Sequence, residues 1–366
     1  MFKIIRPTLV VDKEVCMRNI ERMAQKAVDH NLRFRPHFKT HQSLKVGEWF
    51  RQFGVEAITV SSVQMAEYFA DGGWKDITVA FPVNILEIDN INKLASKIKL
   101  HLLVENTEAA RFLAKHILHP VGIWIKIDTG HNRTGIEPSN IEETDLVINE
   151  ISINKKLTFK GFLTHSGHTY SAHSTDEIFN RHFDALLKLK FLKQRLSNQF
   201  PDIEISLGDT PAATLCTNFN GVDEIRPGNF VFYDLMQQNL GVCSFDDIAV
   251  RLVCPVVAKH RLRNEIVIHG GAVHFSKDSI TNIDGKEMFG RLIITKDGEK
   301  QMLDQMNYLS KLSQEHGILK VAQNQFQNFN VGDLVEIIPV HSCLTANLMG
   351  HYLTTEGELI EMMPGY

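Results

Sequence analysis

The sequence of 366 residues lacks several features that mark whole classes of protein. Lysine and arginine number 39 against 43 aspartate and glutamate residues, so no basic excess favours nucleic acid or anionic lipid as the main partner. The five cysteines are odd in number and scattered, which is not the pattern of a disulfide framework. Such a pattern suits reduced thiols in a cytosolic protein.

Long apolar segments are also missing. The start, Met1-Phe-Lys-Ile-Ile-Arg-Pro7, has no long apolar stretch before its charges and no small-residue cleavage pattern, so no secretory signal is predicted. No apolar run reaches membrane-spanning length, and no low-complexity tract occurs. These absences predict a cytoplasmic protein whose partner is a small molecule.

Short β-branched runs alternate with longer amphipathic stretches between about residues 32 and 232, which is typical of repeated βα units around a parallel sheet. The predicted strands are 32–39, 57–62, 76–81, 99–105, 121–128, 157–165, 203–208 and 224–231. The predicted helices are Ser43–Phe53, Val63–Asp71, Leu86–Lys97, Thr107–His116 and Thr175–Asn198, with Thr107 as an N-cap. Eight strands suggest a closed (β/α)8 barrel.

The pattern changes after about residue 240 to β-rich segments separated by Gly and Asn turns. The predicted strands there are Ala249–Ala258, Glu265–Ile268, Arg291–Ile294, Lys320–Ala322 and Leu334–Ile338. We therefore expect an α/β protein with two domains. The barrel covers residues 1–237, although about the first 12 could join the other domain, and a β-rich domain covers residues 238–366.

A cluster of polar side chains ends the first predicted strand. Arg35, His37, Lys39, Thr40 and His41 place five polar groups in seven residues, which is an unlikely composition for a strand end that only packs. A (β/α)8 barrel carries its catalytic groups at the C-terminal ends of its strands. Lys39 is therefore the first candidate for a catalytic residue.

Here the sequence resembles a known family, that of D-serine dehydratase and D-threonine aldolase. The resemblance rests on ordered motifs along nearly the whole chain: Arg6-Pro-Thr-Leu-Val-Val-Asp12, Asn19-Ile20, Arg35-Pro-His-Phe-Lys39-Thr-His41, Lys126-Ile-Asp-Thr-Gly-His-Asn-Arg133-Thr-Gly135 and His341-Ser-Cys343. Members are fold-type III pyridoxal-phosphate enzymes. The resemblance implies an alanine-racemase-like barrel followed by a β domain, in agreement with the strand count.

The resemblance implies roles for four residues around the cofactor. Lys39 would bind pyridoxal phosphate covalently, exchange it for the substrate amine, and then act as a base at Cα. Arg133 would lie near the phenolic oxygen of the cofactor, where a cation stabilises negative charge. His165 is expected against the pyridine ring, and Tyr170 is expected to contact substrate or phosphate.

Two glycine-containing segments could bind the phosphate, because backbone N–H groups at glycine turns and helix N-termini bind anions, often after barrel strands seven and eight. The predicted contacts are Gly208, Thr210, Gly228 and Asn229. The family usually has serine where this chain has Asp209, and a carboxylate would repel a phosphate. The Asp209 carboxylate must therefore point away from the phosphate, or the placement of the phosphate at these segments is wrong.

A late motif, His341-Ser-Cys343, puts an imidazole and a thiolate two residues apart, close enough to bind one ion from a turn or strand edge. Nitrogen and sulfur together favour zinc over calcium or magnesium. D-serine dehydratases resemble the chain at this pair, whereas aldolases more often have His-x-Asp. The resemblance therefore implies a divalent metal, with zinc favoured, and Cys343 favours the dehydratase activity.

The implied reaction is β-elimination from a β-hydroxy-D-amino acid to a 2-oxo acid and ammonia, with the metal assisting departure of the hydroxyl group. D-threonine aldolase and amino-acid racemase activities stay open. A non-catalytic carrier of the cofactor is a further alternative, although it would need neither the second domain nor the metal pair. Relatives are usually homodimers. The choice of substrate and the roles of His37, His41 and His168 are left open.

Overall fold

The structure is a computed structural model that describes residues 3–296, 299–303 and 306–365. Its internal contacts divide the chain into two compact units. The barrel unit comprises Ile20–Lys39 and Val46–Gly228. The β unit comprises the residues up to Asn19, Thr40–Lys45, and the chain from Asn229 onward. The described chain opens with β1 (Thr8–Val11) and α1 (Lys13–Asp29).

Eight parallel strands form the sheet of the barrel unit, all within the described residues. They are β2 (Arg33–Phe34), β3 (Ala57–Val60), β4 (Asp76–Pro82), β5 (Lys99–Val104), β6 (Val121–Lys126), β7 (Leu157–Thr164), β8 (Glu204–Leu207) and β9 (Glu224–Ile225). β3 and β6 are buried along their whole length, as parallel strands covered on both faces must be.

The sheet closes into a barrel through the residues that follow β2. β2 pairs with β9, and the chain then pairs with β3 through a bridge between His37 and Thr59. The Phe38 N–H donates to the Thr59 carbonyl at 2.9 Å. The predicted (β/α)8 barrel is thus confirmed. Seven of the eight predicted strands contain an observed one, and the remaining strand, β4, extends one residue beyond its predicted end to Pro82. The predicted strands 32–39 and 224–231 are each only two residues long in the structure. Each contains a proline, Pro36 or Pro227, and proline has no N–H to donate to a neighbouring strand.

Helices alternate with these strands, as the amphipathic stretches predict. They are α2 (Leu44–Arg51), α3 (Val63–Asp71), α4 (Ile88–Ala95), α5 (Thr107–His116), α6 (Ile141–Ser152), α7 (Thr175–Leu196) and α8 (Thr210–Leu215). The bounds of α3 and α5 match the prediction, while α2, α4 and α7 are shorter than predicted. Among the described residues, no helix combines the length and the apolar character that a membrane span requires.

The predicted N-cap of α5 is wrong by one residue. Asn106, not Thr107, has the extended backbone of an N-cap, and its side chain accepts the Ala109 N–H at 2.8 Å. Thr107 is the first helical residue, and its hydroxyl donates to Glu143 at 2.9 Å. Asparagine is at least as good a cap as threonine, so local preference favoured Asn106.

The β unit contains a mostly antiparallel sheet and, from Asn229 onward, three α-helices within the described residues. Its later strands are β10 (Val250–His260), β11 (Glu265–His269), β12 (Ile280–Thr281), β13 (Glu287–Met288), β14 (Gly290–Lys296), β15 (Glu299–Met302), β16 (Tyr308–Leu312), β17 (His316–Lys320), β18 (Leu334–Pro339), β19 (His351–Thr354) and β20 (Leu359–Glu361). Its helices are α9 (Leu235–Asn239), α10 (Ala272–Phe275) and α11 (Ser342–Met349). β1 pairs with β10 antiparallel and with β19 parallel.

Four of the five predicted β segments after residue 240 are strands, and the predicted β-rich region is confirmed. The fifth, Lys320–Ala322, is wrong beyond its first residue, because β17 ends at Lys320. The Val321 N–H donates to the carbonyl of Asn264, and the Ala322 N–H donates to the side chain of Asn307. The Val321 bond still follows the register of the β11–β17 pair, whereas the Ala322 bond to a side chain takes the backbone out of the strand ladder.

Candidate active site

Lys39 lies in the turn after β2 and lines a cavity of the barrel unit. Its neighbour Phe38 is completely buried, with its ring 4.9–5.1 Å from those of Phe50, Phe69 and Trp74. Successive side chains of an extended segment point to opposite sides. While Phe38 packs among these rings, its neighbours His37 and Lys39 line the cavity.

The cavity has a volume of about 300 Å³, at the lower end of the range for small-molecule sites. Its charged lining residues are Lys39, Lys126, Arg133 and Arg226, and none of the described residues that line it is acidic. Four cations without a carboxylate make the cavity attractive to an anionic ligand such as a phosphate ester. The predicted residues Lys39, Arg133, His165 and Gly208 meet here.

Arg133 is held by a loop that follows β6. The Asp128 carboxylate accepts the N–H groups of Gly130 and His131 at 2.8 Å each, which closes the start of the loop. Gly135 has φ +121°, and a Cβ there would lie 2.6 Å from the Asp128 nitrogen, so only glycine fits where the loop returns. The sequence motif around Arg133 thus encodes a tight loop at the rim of the cavity.

Lys126 was not among the predicted site residues, although it ends β6 within the same motif. Its ammonium donates to the Thr134 hydroxyl and lines the cavity. Burial, with help from the charge of Arg133, lowers the pKa of Lys126 to about 8. Its position at the end of a barrel strand was the signal that could have identified it.

His165 follows β7, and its Nδ1 forms a hydrogen bond with the Gly208 carbonyl. Burial, with a contribution from the charge of Lys39, lowers the pKa of His165 well below its ordinary value, so the ring is neutral at pH 7. The ring of Tyr170 lies 6.2 Å from that of His165. Its hydroxyl accepts the N–H of Thr210 at 3.2 Å, so that N–H is already paired.

Asp209 turns its carboxylate towards its own helix. It is the N-cap of α8 and accepts the Ala212 N–H at 2.7 Å and the Thr169 hydroxyl at 3.1 Å. Burial raises the pKa of Asp209 to about 6. The carboxylate is thus engaged by these two donors, as the sequence required if a phosphate binds nearby.

Arg226 is a further cavity residue that the sequence argument left without a role. Its guanidinium is buried and donates to the Thr164 carbonyl at 2.7 Å and the Ser206 hydroxyl at 3.1 Å. Its buried Nε has no hydrogen-bond partner among the described residues. A Cβ at Gly208 would lie 2.8 Å from the guanidinium, so glycine permits this close approach. Gly228, two residues later, does not line the cavity.

The second group of predicted residues lies in the β unit, at the turn from β18 into α11. His341 is the N-cap residue of α11, and Cys343 is the second residue of that helix. The Cys343 sulfur lies 3.3 Å from the Thr40 hydroxyl and 3.6 Å from Asn229 Nδ2. Burial alone would lower the pKa of His341, but hydrogen bonds to Asp278 and Cys343 raise it to about 11. The two side chains are therefore in contact.

A buried carboxylate, Asp234, holds this turn. Its Oδ2 accepts the Ser342 N–H at 2.9 Å and Asn229 Nδ2 at 2.6 Å. Asn229, predicted to contact phosphate, therefore belongs to the hydrogen-bond network around Cys343. Asp234 was not predicted, since it lies 108 residues before Ser342 and no local pattern links the two.

His41 has a structural position in the β unit. It is completely buried, its Nδ1 accepts the Ser43 N–H at 3.2 Å, and its carbonyl accepts the Tyr352 hydroxyl at 3.1 Å. Burial lowers the pKa of His41 to about 3, so the ring is neutral. These contacts stabilise the turn after Lys39.

Comparison with protein families shows which family the chain belongs to. The family described as "Alanine racemase, N-terminal domain" matches residues 11–235, well over half of the chain. The chain belongs to this family. A second family, described as "Putative serine dehydratase domain", matches residues 249–355. Together these matches cover the barrel strands and the turn that holds His341 and Cys343.

Relatives of this protein align with it over almost its whole length. D-serine dehydratase of Dictyostelium discoideum is 27% identical, with 94% of this chain and 92% of that protein covered. D-threo-3-hydroxyaspartate dehydratase of Delftia sp. strain HT23 is 28% identical, with coverage of 93% and 91%. The solved structure of the latter superposes with a TM-score of 0.90 at 26% identity and covers 100% of this chain and 99% of that chain. The homologues are lyases of hydroxy-D-amino acids.

The alanine-racemase-like fold and the dehydratase relatives imply pyridoxal phosphate as the cofactor. The residues of the barrel cavity fit this group. Lys39 offers an amine for its aldehyde, and the other cations and the buried Arg226 Nε offer donors for its anionic groups. The contact between His341 and Cys343 likewise brings together a nitrogen and a sulfur donor, a set that suits zinc.

Proposed function

We propose that this protein is a pyridoxal-phosphate- and zinc-dependent lyase that eliminates the β-hydroxyl of a β-hydroxy-D-amino acid, as a D-serine dehydratase does. The observation that carries the proposal is the convergence of Lys39, Arg133 and His165 on one cationic cavity. The full-length relationship to two dehydratases supports it. The products would be a 2-oxo acid and ammonia, and the net reaction needs no oxidant or reductant.

Lys39 is the proposed catalytic residue. When bound, pyridoxal phosphate supplies the electron sink that makes the Cα proton of an amino acid removable. The Lys39 amine would first hold the cofactor and then accept that proton. Arg133 and Lys126 line the same cavity and add positive charge around the Lys39 amine. His165 stays neutral and can therefore stack on an aromatic ring without adding charge.

For the phosphate we propose contacts with Gly208 and Thr210. The Thr210 N–H is engaged by Tyr170, but its hydroxyl is buried without a partner among the described residues and can donate. Tyr170 would then act through Thr210. The phosphate roles of Gly228 and Asn229 stay predictions.

For the metal we propose His341 and Cys343 as ligands. Two solved structures of D-threo-3-hydroxyaspartate dehydratase are a histidine variant and a cysteine variant, the latter in the metal-free form, each 25% identical to this chain with a TM-score of 0.89. The two substituted residues of that enzyme are two positions apart, as His341 and Cys343 are. An ion held by this pair would supply a Lewis acid for the departure of the β-hydroxyl.

The deciding experiment compares products from three substrates. The purified chain, supplied with pyridoxal phosphate and zinc, is incubated separately with D-serine, D-threo-3-hydroxyaspartate and D-threonine. We expect a 2-oxo acid and equimolar ammonia from at least one of the first two. Glycine with acetaldehyde from D-threonine would support an aldolase instead, and interconversion of enantiomers would support a racemase. No turnover despite bound cofactor and metal would overturn the lyase proposal and favour a carrier.

Three further properties stay predictions. They are a homodimeric assembly, a cytoplasmic location, and a division into a cofactor-binding domain over residues 1–237 and a metal-carrying domain over residues 238–366. Light scattering of the purified chain measures the assembly. Limited proteolysis tests the division, because a domain boundary near residue 237 predicts preferential cleavage at the nearest exposed residues, Asn239 and Gly241.

A further inference from the structure

A carboxylate outside the predicted metal pair lies against its imidazole. Asp278 Oδ2 is 2.5 Å from His341 Nδ1. An ionised carboxylate can only accept, so His341 Nδ1 carries the proton of this hydrogen bond. When the ring is neutral, the lone pair is therefore on Nε2, and this is the nitrogen available to a metal ion.

The imidazole stands between Asp278 and the thiol. Besides its bond to Asp278, His341 forms a hydrogen bond with the side chain of Cys343. Since Nδ1 is engaged by the carboxylate, Nε2 is the ring nitrogen left for the hydrogen bond with Cys343. Asp278, His341 and Cys343 thus form a connected series with the imidazole in the middle. A metal held by His341 and Cys343 would have the carboxylate one ring away from it.

The backbone holds Asp278 in this position. Ser276 has φ +69° and ψ −173°, a conformation that non-glycine residues rarely adopt. Its hydroxyl accepts the Asp278 N–H at 3.1 Å. The Thr345 hydroxyl of α11 donates to the Phe275 carbonyl at 3.2 Å. The segment that carries Asp278 is therefore fixed to the helix that carries Cys343.

We propose that Asp278 is a positioning residue of the metal centre, which acts through His341 and not on the ion. The carboxylate selects the Nδ1–H form of the imidazole and fixes the orientation of the ring. This inference rests on the proposed function, because it presupposes a metal at His341 and Cys343. The other nearby carboxylate, Asp234, has a different task, since it holds the backbone of Ser342.

The test measures metal affinity in the full chain, by competition for zinc with a chromogenic chelator. Removal of an outer-sphere carboxylate typically weakens metal binding 10–100-fold, and we expect this for Asp278→Ala. Asp278→Asn keeps an oxygen acceptor for Nδ1–H, so its loss is expected to be smaller. The control is Asp284→Ala, an exposed carboxylate in the turn between β12 and β13, which should bind zinc as the wild type does.

Cobalt provides a readout that distinguishes an indirect from a direct role. With saturating Co²⁺ in place of zinc, the thiolate-to-cobalt absorption band should persist in Asp278→Ala and the d–d bands should keep their positions and intensities, since the ligands of the ion are unchanged when Asp278 acts through His341. Unchanged zinc affinity in both Asp278 variants would overturn the inference and leave the metal site intact. A change in the position or intensity of the d–d bands in Asp278→Ala would also overturn it, because Asp278 would then be a ligand of the ion.

Failure of the proposed function gives a different result. If the wild-type chain shows no zinc binding that depends on Cys343, the metal pair itself is wrong, and with it the inference. Circular dichroism and the visible absorption of the lysine-bound cofactor report whether each variant is folded. Should Asp278→Ala be unfolded, Asp278→Asn decides the question by its affinity alone.

Discussion

The Cys343 sulfur lies 3.3 Å from the hydroxyl of Thr40, a residue 303 positions earlier that directly follows Lys39 in the chain. Thr40 is completely buried, so its hydroxyl depends on protein partners. The residue next to the proposed cofactor lysine is therefore part of the surroundings of the proposed metal ligand. Two motifs that are far apart in sequence share one hydrogen bond.

This contact predicts an effect of Thr40→Val, which removes the hydroxyl at nearly constant volume. Thr40 can donate to a metal-bound thiolate, so its loss should weaken zinc binding by about 1 kcal/mol, roughly five-fold. Thr40→Ser keeps the donor and should bind zinc as the wild type does. Equal affinities of the valine and serine variants would show that the contact does not stabilise the thiolate. Isothermal titration or chelator competition measures the difference.

Lys39→Ala should abolish the visible absorption of the lysine-bound cofactor and lower kcat/KM by about 10²–10⁴-fold or more, because both the anchoring amine and the proposed base are lost. The matched control is Lys45→Ala. Lys45 is exposed and paired with Glu358 at 2.8 Å, so this variant should keep both properties. A colourless wild-type protein after addition of the cofactor would contradict the assignment of Lys39.

Metal removal should abolish the elimination, and added zinc should restore it. Cys343→Ala should not be restored, because one of the two proposed ligands is missing. Cys343→Asp, the residue more often found in aldolases, keeps two ligands but exchanges sulfur for oxygen. This harder donor should shift the metal preference from zinc towards manganese or magnesium. Full activity of the metal-free wild type on D-serine would refute the role of the metal in leaving-group departure.

The pH dependence of stability should contain a contribution from Asp209. Burial raises its pKa from 3.8 to about 6 in the folded protein. A raised pKa means that the stabilising contribution is complete below about pH 4 and is lost as the pH rises through 6. Asp209→Asn keeps a capping oxygen but carries no charge. At pH 7 it should raise the free energy of unfolding by up to about 3 kcal/mol.

Urea unfolding of the wild type and Asp209→Asn at pH 4 and pH 7 measures this contribution. The advantage of the variant should shrink as the pH is lowered, since the wild-type carboxyl becomes protonated. Asp209→Ser, which restores the residue usual in the family, serves as a second neutral cap. A variant that is less stable than the wild type at pH 7 would mean that the charged carboxylate is favourable in its place.

The local pattern predicted much of this protein. The helix Val63–Asp71 follows from its amphipathic pattern, and the eight βα units follow from β-branched runs between amphipathic stretches. Lys39 could be selected because it follows a barrel strand, where the closed sheet brings strand ends together, and the family resemblance selected Arg133 and His165. The cavity that they line agrees with that expectation.

Other residues had no local signal. Arg226 reaches the cavity only because Gly208 leaves room for its guanidinium, and that space depends on the approach of two neighbouring strands. At the turn from β18 into α11, Ser342 contacts Asp234, which lies 108 residues earlier, and His341 contacts Asp278, which lies 63 residues earlier. The predicted N-cap of α5 was wrong by one residue because the neighbouring residues Asn106 and Thr107 are both of types that can cap a helix.

The sequence by itself thus determined the βα order, the position of the lysine at a strand end, and the spacing of the histidine and the cysteine. These properties depend on neighbouring residues and on periodicity. Only the tertiary structure decided which carboxylates contact the turn from β18 into α11, that the Asp209 carboxylate faces its own helix, and that Asn229 lies beside Cys343. Such choices depend on contacts between distant segments, whose energies are set by burial and geometry and not by local spacing.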